Sequence, residues 1–224
     1  MFMKRFCDYL IASTSLLLLA PILLLVAIAI KADSKGNILF RQWRVGKNGR
    51  NFMVLKFRTM YSNAGSGRLL TVSNNDSRIT RLGIYLRKYK IDELPQLLNV
   101  LTGDMSIVGP RPELREFVRL YTKSQQMVLQ TKPGITDLAS LVFIDENELL
   151  KNSDDPEGFY VKEILPLKIR LNRVYLLRST VGKYFSIIGW TLLSIFHITN
   201  SRLRHIEAAC KSRICENLLP GSPD

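Results

Sequence analysis

Cysteine and histidine are scarce in this chain. Three cysteines, Cys7, Cys210 and Cys215, and two histidines, His197 and His205, are all it has. They make no disulfide framework and no zinc site of familiar ligand spacing, so free thiols in a reducing compartment are expected. Negative charge is also missing over a long stretch. Between Asp33 and Asp76 there is no acidic residue, while Lys35, Arg41, Arg44, Lys47, Arg50, Lys56, Arg58 and Arg68 all fall inside it. From Leu10 to Ile30 there is no charge of either sign. Internal repeats and low-complexity tracts are absent, which excludes a repeat architecture.

What is present is a chain of 224 residues, enough for one catalytic domain with a sizeable core and attachments. Lys and Arg number 32 against 19 Asp and Glu, a net charge of +13. Such an excess favours an anionic partner: nucleic acid, an acidic membrane surface or a phosphorylated substrate. Basic and aromatic residues do not interleave in the manner of an RNA-binding surface, so nucleic acid is the least expected of the three.

The uncharged stretch from Leu10 to Ile30 would be about 30 Å long as a helix, enough to cross a bilayer once. Its flanks favour another arrangement. Lys4 and Arg5 precede it and Lys31, Lys35, Arg41 and Arg44 follow it, and positive residues prefer the cytoplasmic side. Pro21, near the middle, removes a helix hydrogen bond. A re-entrant helix-break-helix over residues 1–33, broken at Pro21, would satisfy both flanks. Two competitors stand beside it. One is a single-span anchor, and the other is a secretory signal peptide, suggested by the Ala27-Ile28-Ala29 cleavage-like triplet but longer than the usual apolar region.

Ile38–Arg44 and Phe52–Arg58 alternate as strands and are joined through Gly46-Lys47-Asn48-Gly49, a hairpin signal. Lys56 and Arg58, two apart, share a strand face. Residues 61–76 read as a loop and Thr80–Lys90 as a helix. Gly103 to Pro112 reads as an ordered turn that holds Arg111 between two prolines, aimed at phosphate or simply exposed at the surface. Glu113–Gln130 reads as a helix broken at Lys132-Pro133-Gly134. Residues 161–178 read as an amphipathic helix carrying Lys162, Lys168, Arg170, Arg173 and Arg178. Tyr184–Thr199 is apolar, suited to burial or to the membrane interface. On the re-entrant reading, the fold class expected is α+β: a mostly helical monotopic membrane protein with a re-entrant N-terminal helix, a short β-hairpin and surface amphipathic helices. Its divisions are residues 1–33 in the membrane, a cytoplasmic catalytic domain over 34–199, and a polar tail over 200–224.

Asp92 and Glu93 follow the cations Arg87, Lys88 and Lys90 and precede Leu94, Leu97, Leu98 and Leu101 at helical spacing. This places the pair in the first turn of a helix, with Pro95 fitted to the same turn. Asp92 then either caps that helix or meets a phosphate there.

Several motifs in one order resemble the bacterial sugar transferase family, the small monotopic polyprenol-phosphate phosphoglycosyl transferases, over roughly residues 4–199. They are Lys4-Arg5 with Asp8, Lys56-Phe57-Arg58-Thr59-Met60, Asp92-Glu93-Leu94-Pro95-Gln96 with Asn99, Gly103-Asp104-Met105-Ser106, Gly109-Pro110-Arg111-Pro112 and Pro133-Gly134-Ile135-Thr136. The resemblance implies an enzyme that moves a sugar 1-phosphate from a UDP-sugar to undecaprenyl phosphate, releases UMP and starts a surface glycan at the cytoplasmic face of the bacterial inner membrane. It implies Asp92 as nucleophile through a covalent aspartyl intermediate, Glu93 with Asp92 as ligands of Mg²⁺, and Arg87 and Arg111 as phosphate or nucleotide ligands. Lys56 and Arg58 are expected in the same role or facing anionic lipid. With so little sequence ahead of Lys4, the likeness is to the small members and not to those with extra spanning helices. The chain departs from the family at Ala20-Pro21, where Ser-Pro is common, and at Asp137-Leu138-Ala139-Ser140, where many members read Gly-Trp-Ala-Gln. The donor sugar is therefore not carried over. The alternative is a basic membrane-surface binding or scaffold protein without turnover.

Overall fold

A computed structural model describes residues 2–62, 76–144, 146–151 and 153–195. Most of the expected loop at 61–76, the tail at 200–224, both histidines, Cys210 and Cys215 lie outside the described residues.

Helix α1 spans Phe2–Asp33 with Pro21 inside it. The expected division into two helices is not seen. A proline removes one N–H from the ladder, and the leucines and isoleucines on either side keep the remaining bonds. Both ends of α1 pack on the same folded body. Near its start, Asp8 and Ala12 are buried, and near its end Ile30 is buried against Phe57 and Leu86. Between these anchors Leu17, Leu18, Leu24 and Leu25 are 64–77 % exposed, so this apolar surface is uncovered by the other described residues.

Strands β1 (Leu39–Val45) and β2 (Asn51–Phe57) form the expected antiparallel hairpin, with Leu39 opposite Phe57 and Val45 opposite Asn51. The turn carries Asn48 and Gly49 with positive φ, a conformation those residues adopt at least cost. Helix α2 (Arg81–Lys88) is capped by Thr80, whose hydroxyl accepts from Gly83 N at 2.9 Å. Lys90, in the left-handed region, turns the chain into a short 3₁₀ segment, Ile91–Glu93. Only then does α3 (Gln96–Leu101) begin, with Pro95 at its N-cap. The acidic pair thus precedes α3 in a turn of its own and does not occupy the first turn of that helix. Lys90 is the reason: its positive φ stops α2 and separates the two helical segments.

Strand β3 (Ser106–Val108) pairs in parallel with β4 (Gly134–Thr136), a two-stranded ladder in segments that the sequence presents as turns. Their short length and their glycine and proline neighbours hide the strand pattern. The expected helix over 113–130 is reduced to α4 (Arg115–Val118) and a 3₁₀ segment, Gln125–Gln130. Between them Thr122 N donates to the Gln125 side chain at 2.9 Å, a local bond that competes with the helical ladder. Helices α5 (Leu138–Val142), α6 (Glu146–Lys151) and α7 (Pro156–Phe159) follow. A π-helical turn, Tyr160–Ile164, then leads into α8 (Leu165–Leu177), and α9 covers Val181–Ile195. The amphipathic reading of 161–178 is corrected at Lys168, which is buried between α6 and the Tyr160 turn instead of facing solvent.

Two apolar clusters carry the body. One gathers Leu114, Phe117, Tyr160, Ile164 and Ile169. The other joins Ala12 of α1 to Phe52, Val54, Leu97, Met105, Ile107 and Tyr184. The second cluster ties the hairpin, α3, β3 and α9 to one another, and the acidic pair lies beside it.

Candidate active site

Alternation along β2 places Phe52 and Val54 in the core and Lys56 on the same side, next to the acidic turn. Asn99 of α3 closes the free edge of β2. It accepts from Leu55 N at 3.0 Å and donates to Met53 O at 2.8 Å, as a neighbouring strand would. This fixes the distance from hairpin to α3, and hence from Lys56 to Glu93. Arg111 arrives from the opposite side. Its segment is held by Gly109 N to Thr136 O at 3.0 Å, Gly134 N to Pro110 O at 2.9 Å and Val45 N to Glu113 O at 3.0 Å.

Three of the sequence candidates meet at one atom. Lys56 Nζ donates to Glu93 Oε1 at 3.0 Å, and Arg111 Nη2 donates to the same oxygen. Asp92 and Glu93 are each 8 % exposed, yet they differ in partners. Asp92 Oδ1 is buried and has no hydrogen-bond partner among the described residues. The electrostatics separate the two acids accordingly. Burial, then the neighbouring Glu93 charge, pushes the Asp92 carboxyl up to about 6 against the pull of Lys56, Lys90 and Arg87. Burial also opposes the charge on Glu93, but Arg111 and Lys56 outweigh it and hold that carboxyl well below the usual range. Lys56 is lowered by burial and by Arg111, with Glu93 opposing. One carboxylate is thus neutralised by protein cations and the other is left without a donor, a division characteristic of sites that do chemistry.

Arg87 is directed towards the site less tightly. Its Nε donates to Thr59 Oγ1 at 2.9 Å, and Asp92 is the foremost charge offsetting its burial. Arg58 is not brought to the pair. Its Nη2 donates to Ile30 O at 3.1 Å, Ser34 O at 2.6 Å and Ser34 Oγ at 3.0 Å, fastening the end of α1. The alternation that places Lys56 inward ends with β2 at Phe57, one residue short of Arg58. Pro21 lies within α1, far along the chain from these groups.

Three supporting residues received no role from sequence. Asp8 accepts from Ser106 Oγ, Ile107 N and Tyr184 OH at 2.8–2.9 Å, joining α1 to β3 and α9. Fully buried Asp137 accepts from Ser140 N at 2.6 Å, Asn172 Nδ2 at 2.7 Å and Arg111 N at 3.2 Å, so it sets the backbone that carries Arg111. An acid at the point of departure from the family pattern was the available signal for Asp137. Asn172 gave none. Beyond them a buried network links Tyr160 OH to Glu113 Oε1 at 2.6 Å and Lys168 Nζ to Glu146 Oε2 at 2.8 Å.

Among the described residues no group of three or more His, Cys, Asp or Glu could enclose a metal. The pair fits a different kind of site. Magnesium is commonly held by one or two carboxylates together with substrate phosphate and water. Asp92 and Glu93 supply that number, with Asp92 Oδ1 unengaged.

The sequence profile of the bacterial sugar transferases matches residues 1–197. Over 144 residues the chain is 42 % identical to a UDP-glucose:undecaprenyl-phosphate glucose-1-phosphate transferase of Klebsiella pneumoniae, covering 63 % of this chain and 31 % of the relative. It is also 42 % identical over 144 residues to a UDP-N-acetylgalactosamine-undecaprenyl-phosphate N-acetylgalactosaminephosphotransferase of Aeromonas hydrophila, with 63 % and 34 % covered. To a UDP-glucose:undecaprenyl-phosphate glucose-1-phosphate transferase of Caulobacter vibrioides it is 45 % identical over 141 residues, with 62 % and 53 % covered. The matched part is thus about a third to a half of these relatives' length. With the profile spanning nearly the whole chain, the chain belongs to the bacterial sugar transferase family.

Proposed function

We propose that this chain transfers a sugar 1-phosphate from a UDP-sugar to undecaprenyl phosphate, with release of UMP, as the first step of a surface glycan. The observation that carries the proposal is the contrast within the acidic pair: Glu93 bound by Lys56 and Arg111, and Asp92 Oδ1 buried without a donor beside it. An oxygen so placed can form a new bond without first breaking a protein contact.

In the first step an Asp92 carboxylate oxygen attacks the phosphorus that carries the sugar. The new O–P bond forms as the bridging P–O bond breaks, and the electron pair leaves with UMP. In the second, a phosphate oxygen of undecaprenyl phosphate attacks the same phosphorus and returns Asp92 to its carboxylate. Arg111, Lys56 and Arg87 surround the pair with positive charge that lessens repulsion between the anionic nucleophile and the diphosphate. Glu93 with Asp92 would hold magnesium, which would supply further charge neutralisation at the diphosphate. The lipid acceptor requires a site at the bilayer surface. Support for a monotopic, re-entrant arrangement on the cytoplasmic face comes from the two ends of α1 resting on one body while its middle is apolar and exposed.

The test is UMP release from membranes given undecaprenyl phosphate and a panel of UDP-sugars. Release is expected with at least one donor, dependent on both acceptor and Mg²⁺, and absent in Asp92→Asn. Transfer that persists in Asp92→Asn overturns the nucleophile assignment, and salt-sensitive lipid binding with no UMP from any donor leaves a binding protein instead.

A further inference from the structure

Three cations stand near the acidic pair, and they are engaged differently. Lys56 and Arg111 both donate to Glu93 Oε1. Arg87, near the end of α2, forms no ion pair among the described residues, and its side chain makes one hydrogen bond there, from Nε to Thr59 Oγ1 at 2.9 Å. Its two Nη groups are left without a described acceptor. They form the outer edge with which a planar guanidinium takes two oxygens of a phosphate. The segment that carries them, α2, packs on the acidic turn, where Asp92 Oδ1 is likewise without a described partner. Asp92 is also the foremost charge offsetting the burial of Arg87.

Thr59 is held in place without its hydroxyl. Its carbonyl accepts from Thr80 N at 3.0 Å, its neighbour Met60 bridges to Ile79, and Gly83 of α2 lies against its backbone oxygen. The residue is buried, and among the described residues Arg87 is the one partner of its hydroxyl. A fixed backbone therefore presents a single acceptor to an arginine that no acid restrains. Resting on the transfer reaction proposed above, we infer that Thr59 is a positioning residue, whose hydroxyl holds the Arg87 guanidinium so that its outer edge meets the donor's diphosphate. The diphosphate enters by the same reading, since its phosphorus must come to Asp92 to be attacked. Arginine has many rotamers to lose, and one acceptor at Nε removes most of that freedom before the donor arrives. Displacement of such a group by about 1 Å is enough to cost on the order of 100-fold in rate.

The experiment is a double-mutant cycle on kcat/KM for whichever UDP-sugar the wild-type chain turns over, with thermal unfolding in detergent measured beside it. Thr59→Val keeps the branched shape and removes the hydroxyl, Thr59→Ala removes it without setting a methyl group against Arg87 Nε, and Thr59→Ser restores it. Using two variants that lack the hydroxyl guards against one that merely fails to fold. Each is expected to lower kcat/KM by roughly 10- to 100-fold, and Thr59→Ser to retain most of the wild-type value. In an Arg87→Met background the same substitutions are expected to cost little further, because the group they would misplace is gone. A loss of equal size in both backgrounds overturns the assignment, since the hydroxyl then acts without Arg87. So does an unchanged kcat/KM in Thr59→Val and Thr59→Ala, or a loss in Thr59→Ser as large as theirs. A wild-type chain that releases UMP from no donor overturns the transfer reading itself, and this assignment with it.

Discussion

Asp92 is costly to fold around. Its ordinary pKa near 3.8 rises to about 6 in the folded chain, so the native state favours the protonated form. The penalty is absent below about pH 4, grows between the two values and is fully present above about pH 6. Asp92→Asn removes the buried charge while keeping the shape. In the metal-free protein the variant is expected to be more stable than wild type at pH 8, by on the order of 1 kcal/mol, and no more stable near pH 4. Thermal unfolding in detergent at the two pH values checks this, and a variant less stable at pH 8 refutes it. The same side chain illustrates what was legible at this scale. The acid pair within a cationic run was visible in sequence, whereas Arg111 between its prolines read there either as aimed at phosphate or as an ordinary surface arginine. What set Asp92 apart from Glu93 was not visible, because the difference depends on Lys56 and Arg111 arriving from β2 and the β3 segment, far away in the chain.

Elements explain why two basic residues on one strand part company. Lys56 and Arg58 looked equivalent by alternation, but the end of α1 offers Arg58 three acceptors and the site offers Lys56 one carboxylate. Arg58→Met should therefore loosen α1 and not the donor. A stability loss of about 2–4 kcal/mol is expected, with faster hydrogen exchange at Ile30–Ser34 and an unchanged KM for the UDP-sugar. A raised KM with unaltered stability would restore Arg58 to the phosphate. Packing of α2 depends on a similar detail. Gly83 lies so close to Thr59 O that any Cβ would collide with that backbone oxygen. Gly83→Ala is expected to destabilise the chain by about 1–3 kcal/mol despite the better helix propensity of alanine, as measured by denaturant unfolding. The hairpin and α2 were readable because hydrophobic alternation and capping are local. The β3–β4 ladder was not, since two three-residue strands acquire their identity only by meeting each other.

At the scale of the whole molecule, the proposed bilayer arrangement turns on the placement of α1. Asp8 and Ile30 are separated by about 33 Å along a straight helix, close to the hydrocarbon thickness, so length permits a span. The contacts oppose it. Asp8 is bonded to Ser106, Ile107 and Tyr184, and Ile30 is packed on Phe57 and Leu86, all within one body tied together by β2 and α3. A perpendicular span would draw that body, with its Glu93 ion pairs, into hydrocarbon, where unpaired backbone and charge are costly. In the one-sided arrangement proposed above, α1 keeps both ends on the body while its exposed Leu17, Leu18, Leu24 and Leu25 sit in lipid, and the body is left in water. Exposed Arg5 and Lys35 flank the apolar segment and report on this directly. In a background with Cys7, Cys210 and Cys215 replaced by serine, Arg5→Cys and Lys35→Cys are both expected to resist an impermeant maleimide in spheroplasts and both to react in inside-out vesicles. Leu18→Cys is expected to resist in each. Reaction of either flank in spheroplasts would put the two ends of α1 on opposite sides and make it a span.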